Sequence, residues 1–269
     1  MVQGLTEFLP VSSSGHLVFF QSLFGMEESY LLFDVVLHLG TLLAVVIFFW
    51  ADLQEMIYGI VSIFKGKKED RQRVKLLLWI ILASLPTGLA GVFFYDEFKF
   101  LFSKPKIVGF MLLATGLLLF STRWLKKEGR NLVKMRWMDS ILIGIAQGLA
   151  IIPGISRSGA TISTGLFCGL DRELSGKFSF LLSIPAISGA MLMEAQKADA
   201  YQPLWTHGIG FLVAFGVGLF SLTVLIRWEG SGASQSYLLH AGQDTGLLTF
   251  GFQAWLHSLQ CSFFMALPP

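Results

Sequence analysis

A carboxylate, three consecutive hydroxyls and an imidazole fall close together in TEFLPVSSSGH (6–16), near the start of the chain. Gln3 and Glu7 are four residues apart, which places both on one face of a helix. Glu7 is the only acid in this leading segment, and a lone carboxylate among apolar residues needs a partner or a metal ion. A serine becomes an effective nucleophile beside a base, and Glu7 or His16 can serve Ser12, Ser13 or Ser14 in that way. His16 also suits proton transfer to a leaving group, because imidazole titrates near neutrality. Serines in a row act equally well as caps and small packing residues, so only one of the three need be catalytic.

A second stretch, PGISRSGAT (153–161), puts Arg157 between two serines and two glycines in otherwise apolar sequence. Pro153 can end one half-helix, Gly154 and Gly159 permit tight turns, and Ser158 can cap the helix that follows. Exposed N–H groups at such a helix start, with the positive end of its dipole, bind anions. Arg157 adds a planar, permanently charged fork suited to phosphate oxygens. An arginine at membrane depth costs about 2.5–3.5 kcal/mol even on a lenient scale, so a partner is expected.

The elements that carry these residues are membrane segments. The chain of 269 residues is 54% hydrophobic and 14% charged, well below the charged fraction of soluble domains. Apolar runs long enough to cross a bilayer lie near 31–51, 76–95, 106–122, 174–193 and 208–227. Basic residues concentrate in FKGKKEDRQRVK (64–75) and RWLKKEGRNLVKMR (123–136), six Lys/Arg each, which places these loops in the cytoplasm and the 96–105 connection outside. No basic leader with a cleavage site is evident. Residues 3–26 and 139–170 are interrupted by Pro, Gly and Ser, so both read as re-entrant hairpins. By parity the first enters from outside and the second from inside. QGLTEFLPVSSSG (3–15) and QGLAIIPGISRSG (147–159) coincide at six of thirteen positions. The fold expected is an all-α polytopic membrane protein, an inverted repeat of hairpin plus transmembrane helices, with binding at midplane. Residues 1–125 form the first repeat and 136–228 the second, in a single membrane domain.

These two motifs resemble the signatures of the bacterial undecaprenyl-diphosphatase, or bacitracin-resistance, family: (E/Q)xxxE followed by PVSS and GH, then PGxSRSxxT. The resemblance runs over roughly 1–228, including VVLHLGTLLAVVIFF, and leaves 229–269 as a divergent tail. It implies hydrolysis of undecaprenyl diphosphate to undecaprenyl phosphate, which recycles the lipid carrier of cell-wall synthesis. It further implies a divalent cation, Mg²⁺ or Ca²⁺, in a multi-pass protein of the bacterial plasma membrane whose site faces outward; the lone carboxylate of Glu7 is the candidate metal ligand among these residues. Carried over, Gln3 and Glu7 are the (E/Q)xxxE pair, Ser13 the nucleophile and His16 the essential histidine. Arg157 with Ser156 is the diphosphate clamp, and Thr161 closes the second motif. Catalytic roles are thus expected of Ser13, His16, Glu7 and Arg157, and substrate contacts of Gln3, Ser12, Gly154, Ser156, Ser158 and Thr161. Attack by metal-bound water instead of Ser13 stays open.

A rival reading is a transporter or flippase for a phosphorylated prenyl lipid, since inverted repeats with broken helices suit alternating access. It requires the arginine and helix ends, but no nucleophile with a base. The SRxxxxxH pattern of phosphatidate-type phosphatases is absent, because position 163 is Ser. Asp34 and His38 read as a mutually satisfied buried pair that can line the site from behind, and Asp171, Arg172 and Glu173 as cytoplasmic surface charges. His207, His240 and His257 have no metal-binding companions, and Cys168 and Cys261 read as packing residues. Partners are the lipid substrate and the bilayer, with no nucleic acid; a homodimer is compatible with this reading.

Overall fold

The computed structural model describes residues 1–23, 31–64, 71–102, 104–125, 129–195 and 204–230. The expected tail, with His240, His257 and Cys261, lies almost wholly outside them. The chain begins with a broken hairpin, α1 (Val2–Thr6) and α2 (Ser13–Leu23), followed by α3 (Leu31–Phe48) and α4 (Trp50–Phe64). Then come α5 (Arg71–Phe93), α6 (Tyr95–Phe102) and α7 (Pro105–Ser121). A second broken hairpin, α8 (Trp137–Leu149) and α9 (Arg157–Phe167), leads into α10 (Arg172–Ala195) and α11 (Leu204–Gly230). Among the described residues the one extended pairing is a parallel bridge between Arg130 and Leu170.

Among the described residues, four helical stretches have the length and apolarity of membrane spans: Val74–Phe93, Lys106–Trp124, Arg172–Met193 and Trp205–Ile226. The fifth expected span is bent: Phe33–Phe48 and Trp50–Ser62 meet at 69°. The chain is a multi-pass membrane protein. Two helices go beyond the sequence expectation. Residues 50–64, whose middle was assigned to no span, form α4, an amphipathic helix with a Lys177–Asp52 ion pair fixing its start to α10. The 96–105 connection contains α6, where Asp96 and Glu97 sit in the first turn and favour the positive end of the helix dipole.

In a bilayer, helices associate by close packing more than by the hydrophobic effect, so small residues mark the contacts. A Cβ on Gly40 of α3 would lie 2.6 Å from Phe211 O of α11, and one on Gly4 of α1 would lie 2.8 Å from Gly218 N. A Cβ on Gly144 of α8 would collide with the backbone of Ala83 on α5. Between these contacts Phe8, from the turn after α1, is fully buried and meets Phe180 edge-on at 5.9 Å. Gly144→Val is therefore expected to force α5 and α8 apart at a cost of about 1–3 kcal/mol or more. Gly216→Val, whose Cβ meets nothing within 4 Å, is expected to be neutral. Thermal unfolding in detergent checks the pair; equal midpoints would contradict the packing account.

Candidate active site

The two broken hairpins bring their tips together. Pro10 and Pro153 each lack the N–H that a continuing helix needs, and the chain turns after Glu7 and after Leu149. Ser12, at φ 66°, and Gly154, at φ 96°, take the left-handed conformation that redirects the backbone. A Cβ on Gly154 would run into Val108 O of α7, so the close approach there also requires glycine. Each new helix then starts with the same local bonding. Ser12 Oγ accepts from Gly15 N at 3.2 Å, and Ser156 Oγ accepts from Gly159 N at 3.1 Å. Ser12 and Ser14 hydroxyls lie 3.3 Å apart, as do those of Ser156 and Ser158. The cap of α9 is thus Ser156, not Ser158. Ser158 Oγ instead donates to Leu9 O at 3.2 Å and ties one hairpin to the other.

Glu7 sits at the centre, 5% exposed. Its Oε2 accepts from Ser13 Oγ at 2.6 Å and from Gln3 Nε2 at 2.7 Å, while Arg157 Nη2 meets Oε1 at 2.5 Å. Gln3, Glu7, Ser13 and Arg157 therefore converge. Arg157 heads α9 and Ser13 heads α2, so both half-helix N-termini, with their partial positive charge, open on the site. Arg157 Nη1 is buried and has no hydrogen-bond partner. A buried, unpaired guanidinium N–H is costly, and an anion oxygen in the adjoining cavity would satisfy it.

A cavity of about 500 Å³ adjoins this centre, walled by Glu7, Ser12, Ser13, Ser14, Ser156 and Arg157 at its polar part. Other residues singled out from sequence stand behind that wall. Gln3 is fully buried and orients Glu7. Gly154 O accepts from Thr115 Oγ1 at 3.0 Å, and Thr115 Oγ1 in turn accepts from Ser156 N at 3.1 Å. Thr161 is fully buried, with its hydroxyl 2.6 Å from that of Ser179 on α10. His16 is absent from the cavity wall; its Nδ1 lies 2.8 Å from Ser12 O, which braces the turn. The histidine that faces the cavity is His38, whose Nε2 is 3.5 Å from Glu7 Oε2. The expected Asp34–His38 side-chain pair does not form. His38 Nδ1 bonds Asp34 O at 2.7 Å, and the Asp34 carboxylate takes Gln21 Nε2 at 3.0 and 3.2 Å. The i,i+4 spacing of Asp34 and His38 was visible in sequence, but which face of α3 met Glu7 depended on helix packing.

Away from the cavity, Arg130 closes the base of the second hairpin. It pairs with both Asp139 oxygens at 2.9 Å and donates to Cys168 O. Asp171 caps α10 through Leu174 N at 2.7 Å, so it is a helix cap as well as a surface charge. Cys168 lies part-buried beside Arg130.

Oxygen donors dominate the polar wall: the Glu7 and Asp34 carboxylates and the hydroxyls of Ser12, Ser13 and Ser14. Among the described residues no three His, Cys, Asp or Glu side chains converge as a metal cage. One or two carboxylates plus substrate phosphates is the way Mg²⁺ is ordinarily bound, so the donor set fits a hard divalent ion arriving with an anionic substrate.

Fold and site together define a multi-pass membrane enzyme with a buried serine–carboxylate–arginine centre. The sequence profile described as bacitracin resistance protein BacA matches residues 1–239, and the chain belongs to that family. A relative from Desulfatibacillum aliphaticivorans, named undecaprenyl-diphosphatase, is 45% identical over 87% of this chain and 89% of its own. One of the same name from Desulfosudis oleivorans is 49% identical over 84% of this chain and 86% of its own. A third, from Halothermothrix orenii, is 41% identical over 95% and 92%.

Proposed function

We propose that this protein hydrolyses undecaprenyl diphosphate to undecaprenyl phosphate and inorganic phosphate, returning the lipid carrier to use. The carrying observation is the contact of Ser13 Oγ with Glu7 Oε2 at 2.6 Å, beside an arginine with a spare N–H. Glu7 takes the Ser13 proton as Oγ forms a bond to the terminal phosphorus, and the bond from that phosphorus to the bridging oxygen breaks. Undecaprenyl phosphate departs, and water then cleaves the phosphoserine to release phosphate and restore Ser13. Arg157 Nη1 and the N-termini of α2 and α9 hold the phosphate oxygens as charge redistributes. A divalent cation, when bound with substrate, would be held by Glu7 and neutralise part of the diphosphate charge. His16 supports the Ser12 turn, and His38 is placed nearer the proton transfer.

The basic segments 64–75 and 123–136 support a site that opens on the outer face of the bacterial plasma membrane, by the positive-inside rule. The matching local bonding of the two motifs supports an internal repeat with opposed hairpins. Transport alone would use Arg157 and leave the Ser13–Glu7 contact without a role.

Phosphate release by the purified protein in detergent, with Mg²⁺ or Ca²⁺ supplied, tests the reading. Acid quenching during turnover is expected to trap phosphate on Ser13 and to trap none in Ser13→Ala. Release from wild type with no phosphoserine, and undiminished release from Ser13→Ala, would assign attack to water. No release at all would sink the hydrolase.

A further inference from the structure

The polar centre occupies only one part of the cavity, and the rest is an apolar groove between α5 and α10. Its walls are single helix faces: Gly88 and Gly91 on α5, with Ala186, Gly189 and Ala190 on α10. Phe98 and Phe102 of α6 close one side. These positions recur at three and four residues, the spacing of one helix face. Glycine on α3 and α11 allows close packing, since a Cβ on Gly40 would lie only 2.6 Å from Phe211 O. On the groove the pattern reverses. A Cβ at Gly88 or Gly189 would meet nothing within 4 Å, and one at Gly91 would only touch Ile151 at 3.7 Å. Here small residues keep space empty instead of bringing backbones together. Pro86 lies inside α5 and Pro185 inside α10; each removes a helix hydrogen bond, which favours bending of both walls.

Two buried polar atoms on residues of this wall have no hydrogen-bond partner. Gln147 is 2% exposed, lines the cavity and has no partner for Oε1, because its Nε2 goes to Thr87 Oγ1 at 3.3 Å. Arg157 Nη1 is likewise buried and unpaired on the same wall. An anionic head beside Arg157 and an apolar tail along α5 and α10 match the two parts of the space.

We propose that the groove seats the isoprene units next to the diphosphate, and that Gly88, Gly91 and Gly189 set its width. This rests on the diphosphatase reading. The α5 face from Ser84 to Val92 is about 12 Å long at 1.5 Å per residue, so the groove holds only the head-proximal units. The remaining chain lies in the bilayer.

The test fills the groove. Gly88→Leu, Gly189→Leu and the double variant place side chains in open space, so they are expected to fold with unchanged or higher melting temperature. The KM for undecaprenyl diphosphate is expected to rise about tenfold or more in the double variant, the scale of a mis-sized apolar pocket, with kcat held. Inhibition by inorganic pyrophosphate, a head without a tail, is expected to be unchanged. Gly216→Leu, off the cavity on α11, is expected to leave KM as it is. An unchanged KM in the folded double variant overturns the proposal. So does an equal weakening of pyrophosphate, which would mean that the head site itself had moved. A wild-type protein that releases no phosphate fails the diphosphatase reading instead, a result distinct from either.

Discussion

Glu7→Gln is expected to lower kcat/KM for phosphate release by about 10³–10⁴-fold, the upper range for loss of a positioned base. The cause is the number of donors on one carboxylate. Gln3 Nε2, Ser13 Oγ and Arg157 Nη2 all give hydrogen bonds to Glu7, and a glutamine amide accepts through one oxygen only. Its NH₂ would face either Arg157 or the Ser13–Gln3 pair, donor against donor. Ser13 would also lose the base that takes its proton. Removing the charge leaves the part-buried Arg157 without its counter-ion, a change that costs at most the roughly 3–5 kcal/mol of a fully buried pair. The stability and catalytic effects separate in a double-mutant cycle. Glu7→Gln with Arg157→Leu is expected to regain part of the lost stability, because no charge is then stranded, and none of the activity. Turnover by Glu7→Gln within tenfold of wild type would remove Glu7 from the base role.

The sequence carried a large share of this. Spans could be read because about 20 consecutive apolar residues have few alternatives, and the helices Val74–Phe93, Lys106–Trp124, Arg172–Met193 and Trp205–Ile226 lie close to the expected limits. The breaks at Pro10 and Pro153 could be read because proline and paired small residues interrupt helices wherever they occur. That Glu7 and Arg157 each need a partner followed from residue type, since a lone acid and a lone arginine at membrane depth are costly, but not that each is the other's partner. Roles inside the motifs were less legible. Ser156 and Ser158 are both serines in the first turn region, and only the backbone decides which one caps α9 and which reaches Leu9 O. Thr161 and Gln3 belong to the motifs, yet they act behind the cavity wall, bonded to Ser179 and Glu7. His16 stands next to the triple serine in sequence, whereas His38, from another helix, stands nearer Glu7. The 69° bend at Phe49 and the groove beside Gly88 and Gly189 come from how α3, α4, α5 and α10 pack, which no local pattern encodes.

Arg157→Lys is expected to lose about 10²–10³-fold in kcat/KM, the usual loss when one preorganised donor to a transition-state oxygen is removed. Charge is retained in this variant, so the loss measures geometry. Arg157 uses Nη2 for Glu7 and leaves Nη1 without a partner, a division that one planar fork can make. A lysine ammonium is a single point. With a carboxylate at hydrogen-bond distance it would be drawn to Glu7, and the phosphate oxygen would lose its donor. The arginine's position is held by the α9 start, where Ser156 N donates to Thr115 Oγ1 and Ser156 Oγ caps Gly159 N. The substitution should therefore leave the hairpin, and the melting temperature, nearly unchanged. Pyrophosphate inhibition is expected to weaken along with turnover, because head recognition and transition-state stabilisation share the same N–H. Steady-state kinetics and inhibition on the one variant decide this. Activity within threefold of wild type would show that positive charge alone suffices there, and the spare N–H would then have no part in holding phosphate.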